Sequence, residues 1–249
     1  MESVFSAAVA TDGLWLLFIG VGFGGLVRGF SGFGTSMVYL PFAAQVLPPV
    51  WVIITVLAFD IFGPIPALPR VIREGHIRDV FRLTLGVLFG VPVGVWLLTT
   101  LSAEVFRYVV SIVALLVLST LISGIRYRGE LARWMIYCVG VLSGLLGGAV
   151  GLTGPPVILI YMARSISISA IRASIMLFLF LTDIILLVVF AITDIWHWTP
   201  FVIGLLMIPV YMTTLMIGTW LFDPAKEKLY RWVAYTIIAV SALNGLLAV

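Results

Sequence analysis

The chain has 249 residues, 62% of them hydrophobic and only 10% charged, with a mean hydropathy of +1.22 and a formal net charge of +3. A soluble domain carries about 25% charged residues, so water is excluded as the main solvent of this chain. The single cysteine, Cys138, excludes an internal disulfide and the usual cysteine-based metal site, and the basic residues sit almost entirely in short connections between apolar runs, which gives no sign of a nucleic-acid partner.

The opening Met1-Glu2-Ser3-Val4-Phe5-Ser6 has no Lys or Arg before Arg28, which argues against a cleaved signal peptide. A glycine-rich stretch follows, with Gly20, Gly22, Gly24, Gly25, Gly29, Gly32 and Gly34 close together. Gly20/Gly24 and Gly25/Gly29 fit close helix packing through small residues, while the later glycines, with Ser31, Phe33, Thr35 and Ser36, mark a break at 32–36. Apolar spans are expected at about 50–69, 83–100 and 106–125. A second glycine-rich stretch holds Gly140, Gly144, Gly147, Gly148, Gly151 and Gly154, and ends in Pro155-Pro156. Prolines behind a glycine stop an incoming helix, and a new helix can start at proline, so a second break is expected at 151–156. Three further spans are expected at about 173–192, 198–221 and 231–248. Runs such as 106–125, 175–192 and 201–222 approach or exceed the ~18–20 residues that cross a bilayer. They lack the period-2 alternation of barrel strands and are helices.

The two halves repeat one pattern. Gly25-Leu26-Val27-Arg28-Gly29-Phe30-Ser31-Gly32-Phe33-Gly34-Thr35-Ser36 aligns with Gly144-Leu145-Leu146-Gly147-Gly148-Ala149-Val150-Gly151-Leu152-Thr153-Gly154-Pro155, with three glycines in register. Phe59-Asp60-Ile61 parallels Thr182-Asp183-Ile184, and Phe106-Arg107-Tyr108 parallels Tyr230-Arg231-Trp232. Residues 1–125 and 126–249 are therefore read as two copies of one unit.

Basic residues orient these units. Arg70, Arg73, Arg78 and Arg82 form one cluster; Arg126, Arg128 and Arg133 a second; Arg164 and Arg172 a third; Lys226, Lys228 and Arg231 a fourth. If each glycine-rich stretch crossed once, these clusters would divide between the two sides and break the positive-inside rule. If each enters and returns to its starting side, all four face the cytoplasm. A returning hairpin plus three spans inverts the second copy relative to the first. The expected fold is thus an all-α integral membrane protein of two inverted repeats, each a broken glycine-rich re-entrant hairpin followed by three transmembrane helices, with both termini outside. Inverted repeats recur among secondary transporters.

Each break would begin a half-helix whose unpaired N–H groups and partial positive charge suit an anion. Ser31, Thr35, Ser36 and Thr153 add hydroxyls there, and irregular backbone within a membrane lines a cavity or is buried. The candidate substrate-binding residues are Arg28, Ser31, Gly32, Phe33, Gly34, Thr35, Ser36, Gly151, Thr153 and Gly154. Arg28 has no copy, because Gly147 stands at its place; it either pairs with an anionic substrate or snorkels to the headgroups. Asp60 and Asp183 occupy matching places near the middle of the first plain span of each half. They either stay protonated and hydrogen-bonded or switch protonation as proton-coupling groups. His76 and His197 fall in separate connections, and no metal or cofactor site is expected.

The paired glycine-rich segments, Gly29-Phe30-Ser31-Gly32-Phe33-Gly34 with Pro41 following and 144–156 with an apolar run behind, resemble the TauE/SafE family of sulfite exporters. The resemblance covers nearly the whole chain through its two-copy layout. The chain has Gly34-Thr35-Ser36 and Thr153-Gly154-Pro155 where that family shows denser glycines. The resemblance implies transport of a small sulfur oxyanion or organosulfonate, such as sulfite or sulfoacetate, across a bacterial inner membrane. The expected partners are this small anionic substrate, protons and the lipid bilayer, and a homodimer is compatible with the sequence. An anion channel using the same half-helix dipoles is the alternative. An intramembrane enzyme would need a catalytic set that the sequence does not offer.

Overall fold

The computed structural model describes residues 2–65, 68–123, 132–161, 167–221 and 227–247. Arg126, Arg128, Arg164 and Lys226 of the basic clusters lie outside the described residues, as do the side chains of Lys228 and Arg231. Among the described residues there are twelve helices and no strand. In chain order they are α1 (Glu2–Val9), α2 (Leu14–Ser31), α3 (Thr35–Ala43), α4 (Pro49–Asp60), α5 (Leu68–Glu74), α6 (Ile77–Thr100), α7 (Ala103–Ser123), α8 (Arg133–Val150), α9 (Gly154–Tyr161), α10 (Ile168–Ile192), α11 (Trp198–Leu221) and α12 (Glu227–Leu247). Six of them, α2, α6, α7, α8, α10 and α11, are long and apolar enough to cross a membrane. The all-α membrane class expected from the sequence is the class found.

Both glycine-rich stretches break where expected. α2 stops at Ser31 because Gly32 takes a left-handed conformation (φ 81°), and its N–H donates back to the Arg28 carbonyl. Gly34, also left-handed (φ 99°), then starts α3. In the second stretch α8 stops at Val150, Gly151 is left-handed (φ 72°), and α9 starts at Gly154. Here the Gly151 N–H donates to the Gly147 carbonyl at 3.0 Å and the Leu152 N–H to the Leu146 carbonyl at 3.3 Å, closing the last turn. Each incoming helix has 18 residues and ends one residue before a left-handed glycine. The paired positions are those aligned in the sequence, Gly32 with Gly151 and Thr35 with Gly154.

The chain packs as two compact units. The first comprises Met1–Gly63, Leu101–Leu118 and Ile195–Val249, and the second Pro64–Thr100 and Ser119–Asp194. Each takes helices from both sequence halves. In the first unit α3 folds back along α2: Thr35 lies beside Gly24, Phe42 beside Gly20 and Val46 beside Gly13. The chain thereby returns to the level at which α2 began, and α4 sets out again from there. α2 packs on α11, with backbone at Gly25 and Gly29 against the stretch from Tyr211 to Thr219. A Cβ at Gly29 would stand 2.6 Å from the Leu215 carbonyl oxygen.

In the second unit α8 packs on α6 through interleaved glycines. Gly86, Gly90 and Gly94 of α6 meet backbone of α8, and Gly140, Gly144 and Gly148 of α8 meet backbone of α6. Both sets repeat every four residues, so they form one stripe on each helix and let the axes approach without side chains between them. α10 packs on α5 and α6, and the Ser174 hydroxyl of α10 accepts the His76 N–H at 2.8 Å. In each unit, then, the long glycine-rich helix of one half rests on the second plain span of the other half.

Two expected boundaries are corrected. The span at 50–69 is cut short: α4 ends at Asp60, after 12 residues. Pro64 cannot donate a backbone hydrogen bond and Gly63 weakens the helix ahead of it, so the last turn closes instead through Phe62 and Gly63 N–H groups on the Phe59 and Asp60 carbonyls. At about 1.5 Å per residue, α4 reaches only part of the way across a hydrocarbon core of about 30 Å. The span at 83–100 begins earlier, at Ile77, and Asp79 and Arg82 pair along the first turns of α6 at 3.1 Å.

Candidate functional site

The first unit buries two charged side chains among its described residues, Arg28 and Asp60, 3% and 5% exposed. Arg28 lies in the last turn of α2, where a cation suits the negative end of the helix. Asp60 is the last residue of α4. A carboxylate at that end is opposed by the helix dipole, so its charge must be held by something else. Arg28 provides that: its Nη1 lies 2.5 Å from both Asp60 carboxylate oxygens. The Tyr211 hydroxyl of α11 donates to Asp60 Oδ1 at 2.6 Å. Gly63 leaves room for that hydroxyl, since a Cβ there would stand 3.0 Å from Tyr211 Oη.

The break at 32–34 supplies a third wall. Thr35, the first residue of α3, is buried and sets its hydroxyl 3.5 Å from Arg28 Nη1. Gly34 caps α3 without a side-chain hydrogen bond, so no side chain of the cap covers the positive end of that helix. Ser31 has a different task. Its hydroxyl bonds the Val27 carbonyl at 2.8 Å and the Phe33 carbonyl at 2.6 Å, and accepts the Phe33 N–H, which fixes the turn. Gly32 is buried in that turn, while Phe33, Gly34 and Ser36 are half-buried around it.

Behind the ion pair stands an aromatic cluster. The rings of Tyr39 and Phe59 meet edge to face at 5.1 Å, and Phe59 meets Tyr211 at 5.0 Å. The buried Tyr39 hydroxyl donates to Thr55 Oγ1 at 2.8 Å and lies 3.7 Å from the Met207 sulfur. The partners named here belong to α2, α3, α4 and α11.

The second unit repeats the helix break without a counterpart of Arg28. Gly147 stands where α2 has Arg28, and the Thr153 hydroxyl occupies the space beside its Cα. Thr153 is buried, and Gly151 and Gly154 are half-buried. Asp183 is buried in the interior of α10, a continuous helix of 25 residues. The two aspartates, matched in sequence, therefore differ in setting: Asp60 closes a short helix beside a break, and Asp183 sits within an unbroken one. This corrects the expectation that both lie in the middle of a span.

Three residues named from the sequence, Arg28, Thr35 and Asp60, come together. Arg28 is buried and paired with Asp60. Tyr211, Tyr39 and Thr55 were not anticipated. The only signal for Tyr211 was polarity, Tyr211 with Thr213 and Thr214 interrupting an otherwise apolar helix. Among the described residues no group of three His, Cys, Asp or Glu could hold a metal ion.

The family model described as Sulfite exporter TauE/SafE matches residues 16–245, which takes in both helix breaks and nearly the whole chain. No curated protein and no solved structure matches the chain. A buried cation at a broken helix, in an all-α chain with six potential spans, matched over nearly its full length, leads to one conclusion: the chain belongs to the TauE/SafE sulfite exporter family of membrane transporters.

Proposed function

We propose that the protein is a secondary transporter that moves a small sulfur oxyanion or organosulfonate, sulfite, sulfoacetate or a similar compound, across the inner membrane with protons. The observation that carries this reading is the buried Arg28–Asp60 pair beside the start of α3. A guanidinium matches an oxyanion of sulfur, and the positive end of α3 and the Thr35 hydroxyl favour the same charge. Asp60 supplies a carboxyl that can carry a proton, and Asp183 is the second candidate for that role. The matched breaks at Gly32 and Gly151, and the exchange of second spans between halves, support two inverted repeats as the moving parts. The enclosed state of Arg28 and Asp60 favours a carrier over a continuously open channel.

The test is a binding screen of sulfite, sulfoacetate, isethionate, taurine and sulfate on purified protein, followed by uptake of the binders into reconstituted vesicles. At least one sulfur oxyanion or organosulfonate should bind and cross, and Arg28→Ala should abolish its binding. Binding of none of the five, or undiminished binding by Arg28→Ala, would contradict the proposal.

A further inference from the structure

We propose that Asp60 is a tethered stand-in for the transported anion: substrate and the Asp60 carboxylate compete for Arg28, each bound anion is matched by one proton on Asp60, and the site therefore selects a monoanion over a dianion. This rests on the anion-transport reading above and specifies its charge and coupling.

Among the described residues of the first unit, one cation and one anion are buried, and they neutralise each other at 2.5 Å. Charge in a hydrocarbon setting is expensive unless it is paired, so each state of the cycle must keep the site close to neutral. An anion that approaches from the side of α3 meets Arg28 already engaged by Asp60. For the anion to take that cation, the carboxylate must let go.

A buried carboxylate that has lost its cation, at the negative end of α4, is stabilised by taking up a proton. Among the described residues, the charged and titratable groups that face it are Arg28 from α2 and Tyr211 from α11. α3 contributes the uncharged Thr35, and its Tyr39 is turned to Thr55. None of these can replace the lost positive charge, so the proton comes from water.

The exchange balances. Arginine cation with aspartate anion, plus one monoanion and one proton, becomes arginine cation with bound monoanion, plus neutral aspartic acid. The site is neutral before and after. A dianion in the same place would leave one uncompensated negative charge. Tyr211 fits the exchange, because its hydroxyl donates to the ionised carboxylate and can accept from the protonated one.

Wild-type protein in vesicles tests this without any substitution. Isethionate is a monoanion and sulfoacetate, of similar size, a dianion. Isethionate uptake should bring one proton per anion, read by an interior pH dye, and its accumulation should not follow a potassium potential imposed with valinomycin. An anion crossing without its proton would change its accumulation about fiftyfold per 100 mV. Isethionate binding should tighten about tenfold per unit fall in pH, because one proton is bound with it. Sulfoacetate should bind at least about tenfold more weakly than isethionate. In Asp60→Asn the internal competitor is gone, so isethionate binding should tighten about tenfold and lose its pH dependence.

A potential-dependent accumulation, a proton count other than one, or sulfoacetate binding equal to isethionate overturns the inference while leaving anion transport standing. Failure of all five anions to bind or cross overturns both. If Asp60→Asn does not fold, the wild-type stoichiometry and potential dependence decide.

Discussion

Arg28 and Asp60 were both legible as charges inside apolar segments, but their partnership was not. The two are 32 positions apart, on different helices, and no periodicity connects them. Symmetry in the sequence paired Asp60 with Asp183; packing instead pairs it with Arg28, and adds Tyr211 from 151 positions away. Removing one member of a buried pair leaves the other uncompensated and costs about 3–5 kcal/mol. Arg28→Ala should therefore lower the unfolding midpoint of the purified protein as well as its anion affinity. Arg28→Lys keeps the charge but loses the planar guanidinium, and its anion affinity should fall about tenfold in titration calorimetry. Tyr211→Phe deletes one donor to a charged acceptor, worth about 1.5–3 kcal/mol, and should lower the midpoint less than Arg28→Ala. An unchanged midpoint would mean that the Tyr211–Asp60 bond adds nothing to the folded state.

At the level of helices, breaks with a steric cause could be read from the residues and breaks decided by packing could not. Gly32 and Gly151 stand at left-handed positions that other residues adopt only at a cost, so glycines crowded before a polar turn announced them. The early end of α4 depended on Gly63-Pro64 and on Tyr211 filling the space above Gly63, which hydropathy does not reveal. Replacing Gly32 or Gly151 with Leu should abolish transport while membrane insertion, read by fractionation and protease protection, stays intact. Transport at the wild-type rate would return these glycines to simple helix packing. Gly90 offers a contrast. Its added side chain would strike the Val141 carbonyl and the Leu145 amide of α8, so Gly90→Leu should destabilise the protein itself, by about 1–3 kcal/mol or more.

For the whole molecule, composition carried the all-helical membrane class and the glycines the two helix breaks, while the basic clusters carry the expectation that each glycine-rich stretch returns to its starting side. Which helices would exchange between the halves had no signature, because every span is apolar and glycine stripes such as those of α6 and α8 look alike in sequence. The inverted arrangement is open to labelling. Single cysteines placed at Glu2, Glu104 and Asp194 in a Cys138→Ser background should react with an impermeant reagent from outside. Those at Gly75, Gly129, Ser167 and Ala225 should react only from the cytoplasm. Opposite labelling of Gly129 and Ser167 would rule out the returning second hairpin and with it the inverted repeat.

Proton-driven transport through Asp60 is read from uptake under an imposed pH gradient. Wild-type protein, Asp60→Asn and Asp183→Asn would be reconstituted side by side, with proton flux and anion uptake followed together. Asp60 is bonded to Arg28 and Tyr211 beside a broken helix, whereas Asp183 lies in an unbroken one. Asp60→Asn should therefore lose uptake driven by the gradient while keeping substrate binding and counterflow exchange, and Asp183→Asn should be affected less. Full pH-gradient dependence in both amide variants would contradict the account and leave the aspartates a structural, hydrogen-bonded role.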